Sequence, residues 1–416
     1  MIPEIEKRIK AVQAGRVPTG YKKSKIGIVP KDWGEVRFHD MFSRVVRKNK
    51  EGNTNVLTIS AQYGLINQND FFNKTVASDD KSNYYLMKKG EFAYNKSYSN
   101  GYPFGALKRL DFYDKGIVSP LYICFAASEN NQCPDFYVHY FEAGLMNKEI
   151  QAFAQEGARN HGLLNISVDD FFNSNLLNPP LSEQKKIAEI LATQDRVIEL
   201  KEKLIAEKQS QKKYLMSVLL GDDFKKPFKL NSVTIDKKKW EKSTIGKISD
   251  ISTGNKDTQN KKDDGKYPFY VRSPNPERID TYSYDGEAIL TAGDGVGVGK
   301  VIHYVTGKFD FHQRVYKISD FDNHKAWGRF VYFYFLEHFY NRVKRMSAKN
   351  SVDSVRYSMI SEMPLSLPSL PEQKVIADVL SAADEEISLL QKDLEQEKLK
   401  KKSLMQLLLT GLVRVQ

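Results

Sequence analysis

The sequence predicts an α+β chain built twice over, with two variable, strand-rich units that each lead into a long helix. Three observations predict it. A twelve-residue motif recurs far along the chain, each copy opens a seven-residue apolar rhythm, and the stretches before the two copies share an order of landmarks. The motif is PLSEQKKIAEIL at 180–191 and SLPEQKVIADVL at 369–380. Glu183 falls on Glu372, and the same shift carries Gln184 onto Gln373, Lys185 onto Lys374, Ile187 onto Ile376, Ala188 onto Ala377 and Asp195 onto Asp384. It still holds where Leu215-Met216 meets Leu404-Met405 and Leu219-Leu220 meets Leu408-Leu409. Chance does not keep register over that distance.

Both copies read as long helices. Ile190, Val197, Leu204 and Val218 recur at multiples of seven in the first, with Ile198 and Ile205 beside them. Leu380, Ile387, Leu394 and Leu408 do so in the second, flanked by Ile376, Leu390 and Leu404. These eight heptad residues are the expected helix-pair and subunit-docking positions. Pro180 and Pro371 suit a helix start, and Gly221 and Gly411 suit a stop. Roughly 40 residues at 1.5 Å per residue give a helix of about 60 Å. Lys201, Lys208 and Gln211 interrupt one seam; Glu386, Asp393 and Glu397 interrupt the other. Their opposite signs predict that the helices pair with each other, antiparallel, as a coiled coil that leaves the two units related by a pseudo-twofold axis.

The stretches before the helices share an order of events. Each opens on a Lys-rich turn and a tryptophan, KDWGEVRF at 31–38 and KKWEKSTI at 238–245. Short β-like runs broken by Gly, Asn and Asp follow. An aromatic block that reads as a packed helix comes next, FYVHYF at 136–141 and FVYFYF at 330–335, then an Arg-containing turn before the proline. The expected divisions are an N-terminal helical segment at 1–20, a first unit at 21–178, a helix at 179–222, a second unit at 223–366 and a helix at 367–416.

Composition narrows the function classes. Over 416 residues, Lys+Arg 63 against Asp+Glu 52 leaves +11, an excess suited to a polyanion. Only Cys124 and Cys133 are present, which rules out a disulfide framework and a zinc cluster and fits a reducing cytoplasm. No stretch has the roughly 18 unbroken apolar residues of a transmembrane helix, and the start lacks a signal-peptide core.

No catalytic motif can be assembled. NPPL at 178–181 resembles the Asn-Pro-Pro-aromatic motif of amino-methyltransferases, but Leu181 stands where an aromatic must stack on the flipped base. GDGVGVGK at 293–300 fails the P-loop spacing, since Asp294 precedes Lys300 by six and Val301 replaces Ser/Thr. Its β-like flanks make it either a tight hairpin or a place where backbone meets a ligand. The seven histidines have no metal-ligand spacing. Polar and aromatic residues suited to DNA do cluster in the variable units. The candidates are Lys96, Tyr98, Asn100, Lys108, Arg109 and Arg159 in the first, and Arg272, Ser273, Lys300, His312, Gln313, Arg314 and Arg356 in the second.

The duplicated LSEQKKIAEIL and LPEQKVIADVL starts, the Trp-led units and the run YDGEAILTAGDGVGVGKVIHY resemble the specificity subunit of type I restriction–modification enzymes over nearly the whole chain. The resemblance implies two target-recognition domains reading a bipartite, asymmetric DNA site, with helices that dock two methyltransferase subunits. It implies S-adenosylmethionine, ATP and Mg on partner subunits, a restriction subunit as a further partner, no membrane, and no cofactor or metal on this chain. The segment 1–20 is an addition to that pattern. The competing readings are a DNA-binding adaptor of another defence system, a fused DNA methyltransferase and a non-DNA scaffold.

Overall fold

The computed structural model describes residues 3–60, 63–72, 80–98, 101–128, 132–156, 164–221, 226–295, 297–346 and 354–415. It is α+β. Two long helices run over Leu181–Leu220 and Leu370–Leu408. Contacts group the chain into two compact units, residues 1–200 with 394–416, and residues 201–393. The units thus cut across the expected divisions. Each one holds the start of one long helix and the end of the other, because both are packed into its core.

The first unit is built on a four-stranded antiparallel sheet. Its order is Phe42–Arg44, Ile123–Ala127, Phe92–Asn95, Ala106–Arg109. The aromatic block forms the helix Pro134–Glu142, which buries Phe136, Tyr137, Tyr140 and Phe141. Phe38, Phe42, Phe92 and Phe125 meet it in edge and stacked ring contacts of about 5–6 Å, the geometry aromatic quadrupoles favour, and Phe171 packs on Phe38 and Phe125 in turn. The second unit repeats the arrangement. Its sheet runs Asp250–Thr253, Val315–Ser319, Ala288–Ala292, Ile302–Val305, all antiparallel, and the helix Gly328–Met346 covers it. A second sheet, absent from the described part of the first unit, pairs Tyr267–Tyr270 in parallel with Lys308–Phe311.

In each unit the strand after the tryptophan pairs with the strand before the long helix: Gly34–Arg37 with Asn175–Asn178, and Glu241–Thr244 with Pro364–Leu367. That pairing brings the repeated Glu-Gln onto the tryptophan. Trp33 Nε1 donates to Glu183 Oε2 at 2.9 Å, and Trp240 Nε1 to Glu372 Oε1 at 3.4 Å. Gln184 accepts from the Cys133 backbone N–H at 2.9 Å and donates to Asn178 Oδ1 and the Pro179 carbonyl, both at 2.8 Å. Gln373 accepts from Trp327 N–H at 2.8 Å and donates to the Lys325 and Pro368 carbonyls at 2.7 and 2.9 Å. Glu372 caps its own helix start, its carboxylate accepting from Ser369 N–H and Oγ. Glu183 is instead buried against Arg414, which also binds Asp32.

The helices pair antiparallel inside each unit. In the second, Lys201 meets Asp393, Lys208 meets Glu386 at 2.6 Å and Lys212 meets Asp384. In the first, Asp195 meets Lys401, and Gln194 donates to Glu397 at 2.7 Å. Asp195–Lys401 and Asp384–Lys212 are the same pair moved along the repeat, so the crossing is made twice. The lysine–acid complementarity expected from Lys201 and Lys208 is therefore present, whereas Gln211 turns to Glu207 of its own helix.

The phase of the first seam needs correction. Leu380, Ile387 and Leu408 are buried and Leu394 is half-buried, as expected of the second helix. In the first helix Ile190, Val197 and Val218 are only half-buried and Leu204 is exposed. The buried positions include Leu191, Ile205 and Leu219, one residue after the expected row, and Ile187 and Gln194, three residues before it. Two adjacent apolar stripes run along this helix, and the seam takes the one that also carries the lysines. Gly411 closes the second helix with φ +69, the left-handed cap that suits glycine, and Gly221 closes the first without one.

The N-terminal helix covers Pro3–Gln13 and buries none of its residues. It is tied to the end of the second long helix: Arg8 Nη1 donates to the Leu412 carbonyl at 2.8 Å, and Tyr21 Oη to the Gly411 carbonyl at 2.6 Å. No helix among the described residues is long and apolar enough to cross a membrane.

Candidate nucleic-acid interface

The two sheets place equivalent loops at equivalent positions. In the first unit the two strands that form a hairpin, Phe92–Asn95 and Ala106–Arg109, are joined by a loop carrying Lys96 and Tyr98. In the second the matching hairpin, Ala288–Ala292 and Ile302–Val305, is joined by the glycine-rich loop. The chain after each aromatic helix returns to that loop. Leu164 N–H donates to the Lys96 carbonyl at 3.0 Å, and Val355 N–H to the Gly293 carbonyl at 2.7 Å. Each unit therefore presents a hairpin loop and a returning segment side by side, with unrelated residues on the same frame.

In the first unit Tyr98 is 62% exposed. Asn100 and Arg159 lie outside the described residues. Lys108 and Arg109 are engaged internally. The Lys108 ammonium meets the Glu142 carboxylate, and its side chain is 12% exposed. Arg109 binds Asp111 at 2.7 Å and Asp135 at 2.6 Å. These two cations are neutralised by their own unit, which leaves Lys96 and Tyr98 as the described candidates on the loop.

The second unit gathers its candidates more tightly. Arg272 Nη1 donates to Asp294 Oδ1 at 2.8 Å, and Arg314 Nε lies 3.7 Å from Asp294 Oδ2. Gln313 Nε2 donates to Asp257 Oδ2 at 2.8 Å. His312 is buried, and its Nδ1 accepts from the Arg314 backbone N–H at 2.9 Å, so the neutral ring carries its proton on Nε2. Burial, then the Arg272 charge, holds its pKa below the ordinary histidine value despite Asp257 and Asp294. Ser273 donates to the Asn275 carbonyl and shapes a turn. Lys300 is exposed, 5.9 Å from the Tyr340 ring centre. Arg356 is exposed beside Val355, the residue that bonds to the loop.

The glycine-rich segment is a hairpin connection. Gly295 and Gly299 take φ +77 and +69. A Cβ on Gly297 would come within 2.6 Å of the Arg272 carbonyl, so that glycine permits close approach to the chain's own backbone. Sequence reading missed Asp257 and Asp294 as parts of this cluster; the signal was Asp294 inside the loop that already drew attention.

Cys124 is buried, which pushes its thiol up to about 12, far from a thiolate nucleophile. No group of three or more His, Cys, Asp or Glu among the described residues is placed to hold a metal.

Comparison with known proteins agrees with this architecture. Residues 30–208 and 237–399 match the family described as type I restriction modification DNA specificity domain. The chain is 28% identical over 141 residues to the type I restriction enzyme EcoDI specificity subunit of Escherichia coli, a match covering 34% of this chain and 30% of that protein. The chain thus spans under a third of that relative's length. It is 25% identical over 422 residues to the putative type I restriction enzyme MjaX specificity subunit of Methanocaldococcus jannaschii, covering 95% and 97%. Its fold resembles the crystal structure of a type I restriction–modification S subunit from M. genitalium, with TM-score 0.58 and 15% identity over 90% of this chain and 96% of that one. With a specificity-domain match in each half, and each half built on the same sheet, helix and hairpin loop, the chain belongs to the type I restriction–modification DNA specificity family.

Proposed function

We propose that this chain is the non-catalytic specificity subunit of a type I restriction–modification enzyme and that it reads a bipartite, asymmetric DNA target. Each unit reads one half-site through its hairpin loop and returning segment. The observation that carries this reading is one frame presenting two different surfaces: Lys96 and Tyr98 on the hairpin loop of one unit, and in the other Arg272 and Arg314 held against Asp294 of the glycine-rich loop, with Gln313 beside them and Arg356 on the returning segment. Equal frames with unequal contact residues suit a target whose halves differ in sequence. The long helices set the spacing of the halves and dock two methyltransferase subunits, to which restriction subunits attach. S-adenosylmethionine, ATP and Mg belong to those partners, and this chain works in the cytoplasm without a bound cofactor.

The test is a genome-wide map of methylated adenine with the gene intact and deleted. One asymmetric, gapped motif should vanish on deletion; an unchanged map would overturn the reading. Complementing the deletion with Arg314→Ala should relax or lose one half of the motif only. Equal weakening of both halves would make Arg314 a phosphate contact rather than a base reader.

A further inference from the structure

We propose that Asp294 is a specificity-determining residue of the second unit, an internal competitor that holds Arg272 and Arg314 away from the phosphates of wrong duplexes. The inference rests on the DNA-reading function proposed above. Both arginines are substantially exposed, with side chains 46% and 64% accessible, whereas Asp294 is 25% accessible. The cations are thus free to swing outward, and the carboxylate is the fixed partner.

The backbone explains why it is fixed. Gly293 N–H donates to the Arg314 carbonyl at 2.7 Å, and Val355 N–H donates to the Gly293 carbonyl at 2.7 Å. Residue 294 bridges Ser354, and Gly295 follows with φ +77. The carboxylate therefore stays on the loop while the guanidinium groups above it exchange partners. Asp257 repeats the device on a smaller scale, accepting from Gln313 Nε2 and lying 3.9 Å from His312 Nε2.

An exposed ion pair is weak and readily exchanged. A phosphate drawn to these arginines must approach a fixed negative charge, which works against binding along any duplex. A correct base pair escapes that penalty. The guanine edge offers two acceptors to an arginine, and the cytosine amine can donate to a carboxylate left in place. The competitor therefore selects against backbone contact and tolerates the base contact, a repulsive contribution to specificity.

The experiment uses the full chain co-purified with its methyltransferase subunit, and two duplexes: the motif from the methylation map and a random sequence of equal length. Asp294→Asn keeps the shape and removes the charge. It should tighten binding to the random duplex about tenfold at low salt and steepen the salt dependence by about one in slope. Binding to the motif should change by less than about threefold, so the specificity ratio falls. Asp257→Asn should move the ratio the same way by less, and Asp264→Asn, an exposed control of equal charge change, should leave it unaltered. Equal tightening on both duplexes, or no change on either, would overturn the role of Asp294 while leaving the DNA reading intact. A wild-type complex with no preference for the motif would overturn the DNA reading and this inference with it.

Discussion

Replacing Leu380 and Ile387 together by Asp is expected to abolish folding of the second unit and, with it, assembly with the methyltransferase subunit proposed as its partner. Leu380 is fully buried in the core formed by Leu219, Trp240, Phe330 and Ile376, and Ile387 is 8% exposed further along the same seam. Each change removes about 1.5–3 kcal/mol of apolar burial. Each also leaves an unpaired carboxylate in a place without water, which costs several kcal/mol more, or forces its protonation. The double variant should lose more than about 5 kcal/mol, enough to unfold an ordinary domain. Leu389→Asp on the same helix is the control: it is 58% exposed, and its effect should stay within about 0.5 kcal/mol. Urea unfolding and co-purification of the methyltransferase read the two consequences. Native stability in the double variant would sink the antiparallel seam.

The ion pairs along that seam are a different matter. Lys208 and Glu386 are partly open to water, so their pairing contributes about 0–1 kcal/mol. Their value is in register and direction. Opposite signs on facing helices make the heterologous antiparallel pair better than either helix against its own copy. That logic was legible in the sequence because charge sign and heptad position are both local. The phase of the first helix was not, because Ile190, Val197 and Leu204 form as regular a stripe as Ile198 and Ile205. Only packing against the partner decides between stripes one residue apart.

The site was legible in the same uneven way. Arg272, His312, Gln313 and Arg314 were picked out as separate signals, and the fold brings them to one place. Strand pairing does so, by setting Tyr267–Tyr270 parallel to Lys308–Phe311, so that His312 N–H reaches the Tyr270 carbonyl two residues before Arg272. Lys108 and Arg109 looked equally suitable, but besides the nearby Asp111 their acids come from elsewhere in the chain, Glu142 and Asp135, and no local pattern announces a partner about 26 to 34 residues away. The equivalence of the Lys96 loop and the glycine-rich loop was invisible in sequence, since the two share no residues. It exists only as sheet order. A recognition surface that changes with its target keeps its frame and loses its sequence likeness, whereas the helix starts, which bind the frame together, keep both.

Those helix starts give the second large effect. Gln184→Ala and Gln373→Ala should each destabilise their own unit by about 3 kcal/mol. Both glutamines are fully buried and use donor and acceptor alike to join the long helix to the residues entering the aromatic helix. Truncation leaves one backbone N–H and at least one carbonyl unpaired in the core, at about 1–3 kcal/mol for each group. A leucine in the same space fills the cavity but satisfies none of them, so Gln373→Leu should recover less than about 1 kcal/mol. Glutamate should fare worse than glutamine, because it can accept from Trp327 but cannot donate to Lys325 and Pro368 unless protonated. Denaturant midpoints for the three variants order the explanations. If leucine matched the wild type, the repeated glutamine would be packing and not hydrogen bonding, and its recurrence in both helix starts would need another cause. If alanine at both sites cost what the hydrogen bonds predict, the twice-used motif is the joint that lets one helix start accept two different recognition units.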